Sequence, residues 1–306
     1  MQFCEIGLSD RELLSGYLYK YSEGSCQHSF LTFYSLNEKY GDRYAIEDGF
    51  LFVFRSNLNQ VEGERNYLFP LGDTADLKKL KTAVEKLLKD AASHGKRACF
   101  NSVTGTGKQL LTELFPGRFE VRYERDLGEY IYSVDKIASL PGKEYYSKRR
   151  YVKALEKNLG DRIRIEPVSP SFFSGIAEVK NKWFKDHVTE EFRRQLEIEN
   201  GTIERVLMSY EELDLSGIVI LIDGKVEGFI YGCPLNDDTF DASVGKVNRR
   251  QWKDLYPLLY REFARRCAKG YRWLNWEEDL GSEGLRKMKL SYRPDHLIEK
   301  YIVTEI

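Results

Sequence analysis

The stretch Tyr271–Pro294, YRWLNWEEDLGSEGLRKMKLSYRP, sets three acids side by side (Glu277, Glu278, Asp279), follows them with Gly281 and Gly284, and then brings Arg286, Lys287 and Lys289. YRWLNW can alternate as a short buried strand, and GLRKMKL can turn as a helix whose first N–H groups face back toward the acids and glycines. A strand end, a glycine loop and a helix start together make a binding site. The same residues also read as a plain connection in which the acids cap the helix and the lysines are solvated.

Working outward, the elements leading to this stretch occur twice. In the first half, RYAIEDGFLFVF reads as two strands turning at Asp48-Gly49, the strongest short hairpin signal. Asp73 then opens a helix whose Leu77, Leu80, Val84, Leu87, Leu88 and Ala91 recur at helical spacing, and Gly95 ends it. The strand RACFNSV and a glycine loop, TGTGK, follow. In the second half, GIVILIDGKVEGFIYG turns at Asp223-Gly224, a third strand lies near TFDASV, and a helix from about Trp252 to Lys269 ends at Gly270. Pro257 marks a kink or late start in that helix. Gly49 and Gly224 lie 175 residues apart, as do Gly95 and Gly270, while Asn101 and Asn275, like Gly107 and Gly281, are 174 apart. The chain therefore reads as two α/β modules, 1–141 and 142–306, joined near Leu140-Pro141-Gly142. Ahead of them, Ser9 with Glu12 reads as a capping box opening a helix that buries Leu13, Leu14, Tyr17 and Leu18.

Only the second module carries the acids. The first has Ser102, Val103 and Thr104 at the matching place, so the site is expected in the second. GTGK is no phosphate loop, because that motif needs Gly at 102 and Ser or Thr at 109, where this chain has Ser102 and Gln109.

Composition limits the alternatives. A length of 306 residues suggests two domains, and 42% apolar content is ample for two cores. The longest apolar run, Ile218–Ile222, is far short of the roughly 20 residues of a membrane helix. The start, MQFCEIGLSDRELL, is unlike a signal peptide. Five scattered cysteines without metal-type spacing read as reduced, packed thiols of a cytoplasmic protein, and with four isolated histidines no metal site is expected. A net charge of −1 leaves attraction to polyanions to local clusters, chiefly Lys148, Arg149 and Arg150 among Tyr145, Tyr146 and Tyr151. That cluster reads equally as the solvated side of an amphipathic helix.

Two hairpin-bearing modules, each with a long helix, a strand and a helix-starting loop, suggest the acyl-CoA N-acyltransferase (GNAT) fold in tandem: α/β (α+β), each module a mixed twisted sheet flanked by helices. The run LNWEEDLGSEGLRKMKLSYRP, with YIYSVDKIASLPGKEYYSKRR earlier, resembles the DUF2156 family, which is similar to the C-terminal catalytic domain of phosphatidylglycerol lysyltransferases. The similarity extends over nearly the whole chain.

The resemblance implies a transferase that moves an acyl group, or an aminoacyl group from aminoacyl-tRNA as co-substrate, to an amine or hydroxyl on a small molecule or peptide. Such a site must deprotonate the acceptor, stabilise an oxyanion and hold a polyanionic donor. Glu278 or Asp279 is then the candidate base, the N–H groups between Gly281 and Gly284 face an oxyanion or phosphate, and Arg286 and Lys289 bind phosphate or carboxylate. Asn275 and Tyr292 are orienting groups, and Lys148, Arg149 and Arg150 are candidate tRNA contacts. The chain departs from the pattern at three points. SVGKVNRRQW stands where a CoA-binding module resembles Arg/Gln-x-x-Gly-x-Gly/Ala, so neither acetyl-CoA nor another cofactor is expected. Gly245 precedes Lys246 where relatives often carry an acid. The large membrane domain of the lipid-modifying enzymes is not seen, so a lipid acceptor does not come with the fold. A second class stays open, a catalytically silent tandem GNAT that binds a ligand or protein partner, although acids clustered beside glycines and basic residues favour the enzyme.

Overall fold

The computed structural model describes every residue except 59, 60, 189, 191, 192 and 253, and at 195 the backbone alone. Packing divides the chain into two compact units. The first comprises Met1–Glu129, Glu278–Arg286 and Leu297–Ile306; the second comprises Tyr130–Glu277 and Lys287–His296. The division at 141/142 concerns a pattern along the chain, whereas these units draw on separated stretches of it.

The first unit is built on one seven-stranded sheet, in the order Cys4–Glu5, Asp42–Glu47, Phe50–Arg55, Glu64–Tyr67, Arg97–Val103, Tyr301–Glu305 and Phe119–Tyr123. The C-terminal strand enters between Arg97–Val103 and Phe119–Tyr123, antiparallel to both. The helix Leu77–Ser93 lays Leu80, Val84, Leu87, Leu88 and Ala91 in one core with Phe52, Tyr67, Phe100 and Val303.

The second unit has two four-stranded sheets. One runs Val244–Val247, Lys225–Gly232, Ser216–Ile222, Ile163–Pro167; the other runs Thr239–Asp241, Trp273–Asn275, Glu129–Ser133, His296–Ile298. The helix Leu255–Arg266 starts late, with Pro257 in its first turn, where a missing N–H costs nothing. Both expected hairpins form. Asp48 and Gly49 have φ of 50° and 81°, and Asp223 and Gly224 have φ of 52° and 78°, the paired left-handed corner that Asp-Gly tolerates.

Three local expectations change. The long helix is capped by Asp76, whose Oδ1 accepts from Lys79 N at 3.1 Å, while Asp73 closes a turn ahead of it on Ala75 N. The first helix, Arg11–Tyr21, follows a 3-10 turn closed by Asp10 Oδ2 on Gly7 N; Leu14 and Leu18 are buried, but Leu13 is 52% exposed. TGTGK is no loop: Thr104 caps Gly107 N, and the helix Gly105–Leu114 begins at once. A Cβ on Gly107 would lie 3.0 Å from Val103 Cγ1, so that glycine serves close packing. Among the described residues no helix is long and apolar enough to cross a membrane.

Candidate functional site

The acidic loop leaves the strand Trp273–Asn275 by a sharp turn. Asn275 is fully buried, and its Oδ1 accepts from Glu277 N at 2.7 Å. Glu277 and Leu280 then take left-handed φ of 56° and 50°, with Gly281 at 80°. Non-glycine residues rarely hold such angles unless their surroundings impose them. In the first unit the surroundings do so through Asp279. This carboxylate is fully buried and receives Arg286 Nε at 2.8 Å, Arg286 Nη2 at 2.7 Å, Arg125 Nη1 at 3.4 Å and Gly281 N at 3.0 Å. Arg286 Nη2 also donates to Asp126 at 2.6 Å, and Leu280 N to Asp126 O at 3.0 Å. Hydrogen bonds to Asp279 and then Asp126 raise the guanidinium pKa of Arg286 further. The bidentate fork makes Asp279 a clamp on the loop and ties Arg286 to two carboxylates.

Glu278, one residue earlier, has a different setting. It is only partly buried, its Oε1 accepts from Gln27 Nε2 at 3.3 Å, and its Oε2 lies 3.6 Å from Cys26 Sγ. Cys26 and Gln27 belong to the 3-10 turn Cys26–His28, which is held at every residue. Ser25 caps it by accepting from Gln27 N, and donates to Glu129 Oε1 at 2.7 Å; Cys26 N donates to Glu129 Oε2 at 3.0 Å. Lys300 pairs with Glu129 at 2.7 Å, both without exposure. Cys26 O accepts from Thr32 Oγ1, and the His28 ring meets Ser22 O at 3.3 Å. Burial, helped by the Lys300 ammonium, lowers the His28 pKa to about 3, so this ring is neutral. The sequence reading passed over SCQH. Its one signal is compositional: five polar or soft residues, Ser25 to Ser29, immediately precede FLTF.

The remaining candidates lie in the second unit. The Lys289 ammonium donates to the carbonyls of Trp276 and Glu277, the latter at 3.1 Å, and rests over the Tyr130 ring. Tyr292 is buried edge-on against Trp276, ring centroids 4.8 Å apart, and its backbone carbonyl accepts from Tyr145 Oη. Lys148 is 9% exposed, lies over the Tyr292 ring at 4.2 Å and donates to Ser291 O at 2.7 Å. Arg149 donates to Leu140 O, and Arg150 is exposed. Gly281 and Gly284, in the first unit, are exposed.

The second unit also carries a feature the sequence singled out only through Gly245. Thr239–Asp241 pairs in parallel with Trp273–Asn275, and three residues later Val244–Val247 pairs antiparallel with Gly228–Tyr231, so the sheet parts at Ala242-Ser243. Gly232 permits the crossing, since a Cβ there would lie 1.9 Å from Asp241 O. Beside the parting, the buried Tyr231 hydroxyl has no hydrogen-bond partner among the described residues. Lys246 is buried, pairs with Glu199 at 2.7 Å and lies 3.5 Å from the Trp183 ring centroid, a cation–π contact. A Cβ on Gly245 would meet Ile230 Cδ1 at 3.3 Å, so any side chain there asks the end of Ile230 to shift by a few tenths of an ångström.

The family model for phosphatidylglycerol lysyltransferase, C-terminal, matches residues 19–304. No curated protein matches the sequence. Among solved structures, the chain is similar to a conserved protein of unknown function from Bacteroides thetaiotaomicron VPI-5482, with 28% identity, all of both chains covered and a TM-score of 0.91. It is similar to L-PGS from Bacillus licheniformis, with 14% identity, 97% of this chain and 92% of that one covered and a TM-score of 0.66. It also shares its fold with a tandem GNAT protein from the clavulanic acid biosynthesis pathway, with 10% identity, 99% and 98% covered and a TM-score of 0.50. With nearly its whole length inside the family model, the chain belongs to the phosphatidylglycerol lysyltransferase C-terminal (DUF2156) family and has its tandem GNAT-like fold.

Proposed function

We propose that this chain transfers an aminoacyl group from aminoacyl-tRNA to an amine or hydroxyl acceptor, with Glu278 as the base. The observation that carries this reading is the contrast between neighbouring acids. Asp279 is held by two arginines and a backbone N–H, and protonating it would break charge-assisted bonds; Glu278 meets an amide and a thiol. In the step we envisage, the acceptor N or O attacks the ester carbonyl of the donor and gives its proton to Glu278. The new C–N or C–O bond leaves an oxyanion, whose collapse breaks the ester C–O bond. The terminal hydroxyl of the tRNA departs with the proton returned by Glu278. Negative charge is favoured at the start of the helix Glu283–Leu290, where Glu283 and Gly284 are exposed.

Total tRNA charged with labelled amino acids, offered with panels of amine and hydroxyl acceptors, tests the reading. Glu278→Gln is expected to lower turnover on the order of a hundredfold with unchanged thermal stability. Full turnover by Glu278→Gln removes it as the base. Failure of the intact chain to consume any charged tRNA leaves the ligand-binding, silent protein instead.

A further inference from the structure

Glu278 is aimed by a side chain from the distant N-terminal part of the first unit. Gln27 is 5% exposed and bridges two groups: its Oε1 accepts from Arg55 Nη2 at 3.2 Å, and its Nε2 donates to Glu278 Oε1 at 3.3 Å. The amide cannot be turned round, because a guanidinium only donates and a carboxylate only accepts. Arg55 is itself immobilised, with 1% exposure, Nε 3.2 Å from Asp42 Oδ1 and the guanidinium 4.1 Å from the centre of the Tyr40 ring. The backbone under Gln27 is pinned by Ser25, Glu129 and Lys300. We infer that Gln27 is a positioning residue that fixes the Glu278 carboxylate, with Asp42 and Arg55 as the buried support behind it. This rests on the assignment of Glu278 as the base and extends it: a line of polar groups, Asp42, Arg55, Gln27, ends on that carboxylate.

Two variants separate aiming from simple structural support. Gln27→Glu still accepts from Arg55 but no longer donates to Glu278, whereas Gln27→Met of similar length does neither. If Gln27 only satisfied Arg55, turnover would follow stability in both variants and the Glu278 carboxylate of Gln27→Met would stay in place. As a positioning residue, Gln27 predicts at least a tenfold lower kcat in Gln27→Glu, measured with total aminoacyl-tRNA as donor, while the KM for tRNA and the melting temperature hold. Crystal structures of both variants are expected to show the turn Cys26–His28 in place and the Glu278 carboxylate displaced or in several rotamers. An unmoved Glu278 in both structures overturns the proposal even if one variant is too unstable to assay. Glu278→Gln is the control: inactive Glu278→Gln beside fully active Gln27→Glu overturns this proposal alone, whereas fully active Glu278→Gln overturns the base assignment and the proposal with it.

Discussion

The two units treat the stretch that follows their hairpins in opposite ways. In the first, the strand Glu64–Tyr67 pairs with Phe50–Arg55 on one side and Arg97–Val103 on the other, keeping seven strands in one sheet. In the second, the stretch that follows its hairpin is cut in two, Thr239–Asp241 and Val244–Val247, and each piece joins a different sheet. The unbroken unit spends buried charges on ion pairs, Lys300 with Glu129 and Arg55 with Asp42, although Asp42 Oδ2 has no hydrogen-bond partner among the described residues. The parted unit instead surrounds Tyr231 with rings and leaves its hydroxyl without a partner among the described residues. A buried pair is strongly destabilising to break from one side, whereas a single unmatched hydroxyl is cheap to remove. Stability should therefore respond to polar substitutions in the first unit far more than in the second.

The largest test of that asymmetry uses acid. With its pKa lowered to about 3 in the fold against 6.5 unfolded, His28 stabilises the chain fully above about pH 6.5, and this contribution is lost as pH falls toward 3, because only the unfolded state takes up the proton. The loss sums to roughly 4–5 kcal/mol over that window. Urea denaturation at pH 7, 6 and 5 is expected to show wild type losing stability relative to His28→Gln by about 0.7 kcal/mol from pH 7 to 6 and about 1.2 kcal/mol from pH 6 to 5, the slope steepening toward its full value below the unfolded pKa. Equal slopes would remove the difference between the units at this position.

Next in size, Arg55→Met strands the Asp42 carboxylate, whose pKa burial already raises. The expected cost is about 3–5 kcal/mol, measured by denaturation at pH 7. Asp279→Asn keeps the side-chain volume but weakens the arginine fork, which should cost about 1.5–3 kcal/mol and loosen the left-handed loop. Any fall in its turnover should follow from that loss of order, whereas Glu278→Gln should lose turnover at full stability. A stable, inactive Asp279→Asn would reverse the roles of the two acids. The smallest effect is expected in the second unit, where Tyr231→Phe should change stability by less than about 1 kcal/mol. A large loss there would mean that the parted sheet depends on its hydroxyl.

Much of the fold could be read along the chain because its signals are local. Asp-Gly corners at 48–49 and 223–224 dictate tight hairpins, and the spacing of Leu80, Val84, Leu87 and Ala91 places one face of a helix on a core. Where the reading slipped by a turn, at Asp73 against Asp76, two acids three residues apart offered the same cap and only the backbone path chose. The acidic loop was also legible, since three acids, two glycines and a basic helix stand together in the sequence. Which acid is clamped by arginines and which meets an amide and a thiol was not, because the partners come from elsewhere: Arg125 for Asp279, and Cys26 and Gln27 for Glu278, about 150 and 250 residues away along the chain. The same holds for Lys148, which local composition offered as a contact for polyanions, and Tyr292, offered as an orienting group: the fold packs the ammonium over the buried ring. Sequence alone determined the elements and the kind of residue available at each. Tertiary structure decided what those residues do, because the protonation and reach of a carboxylate or ammonium depend on the charges and donors that folding brings within a few ångströms.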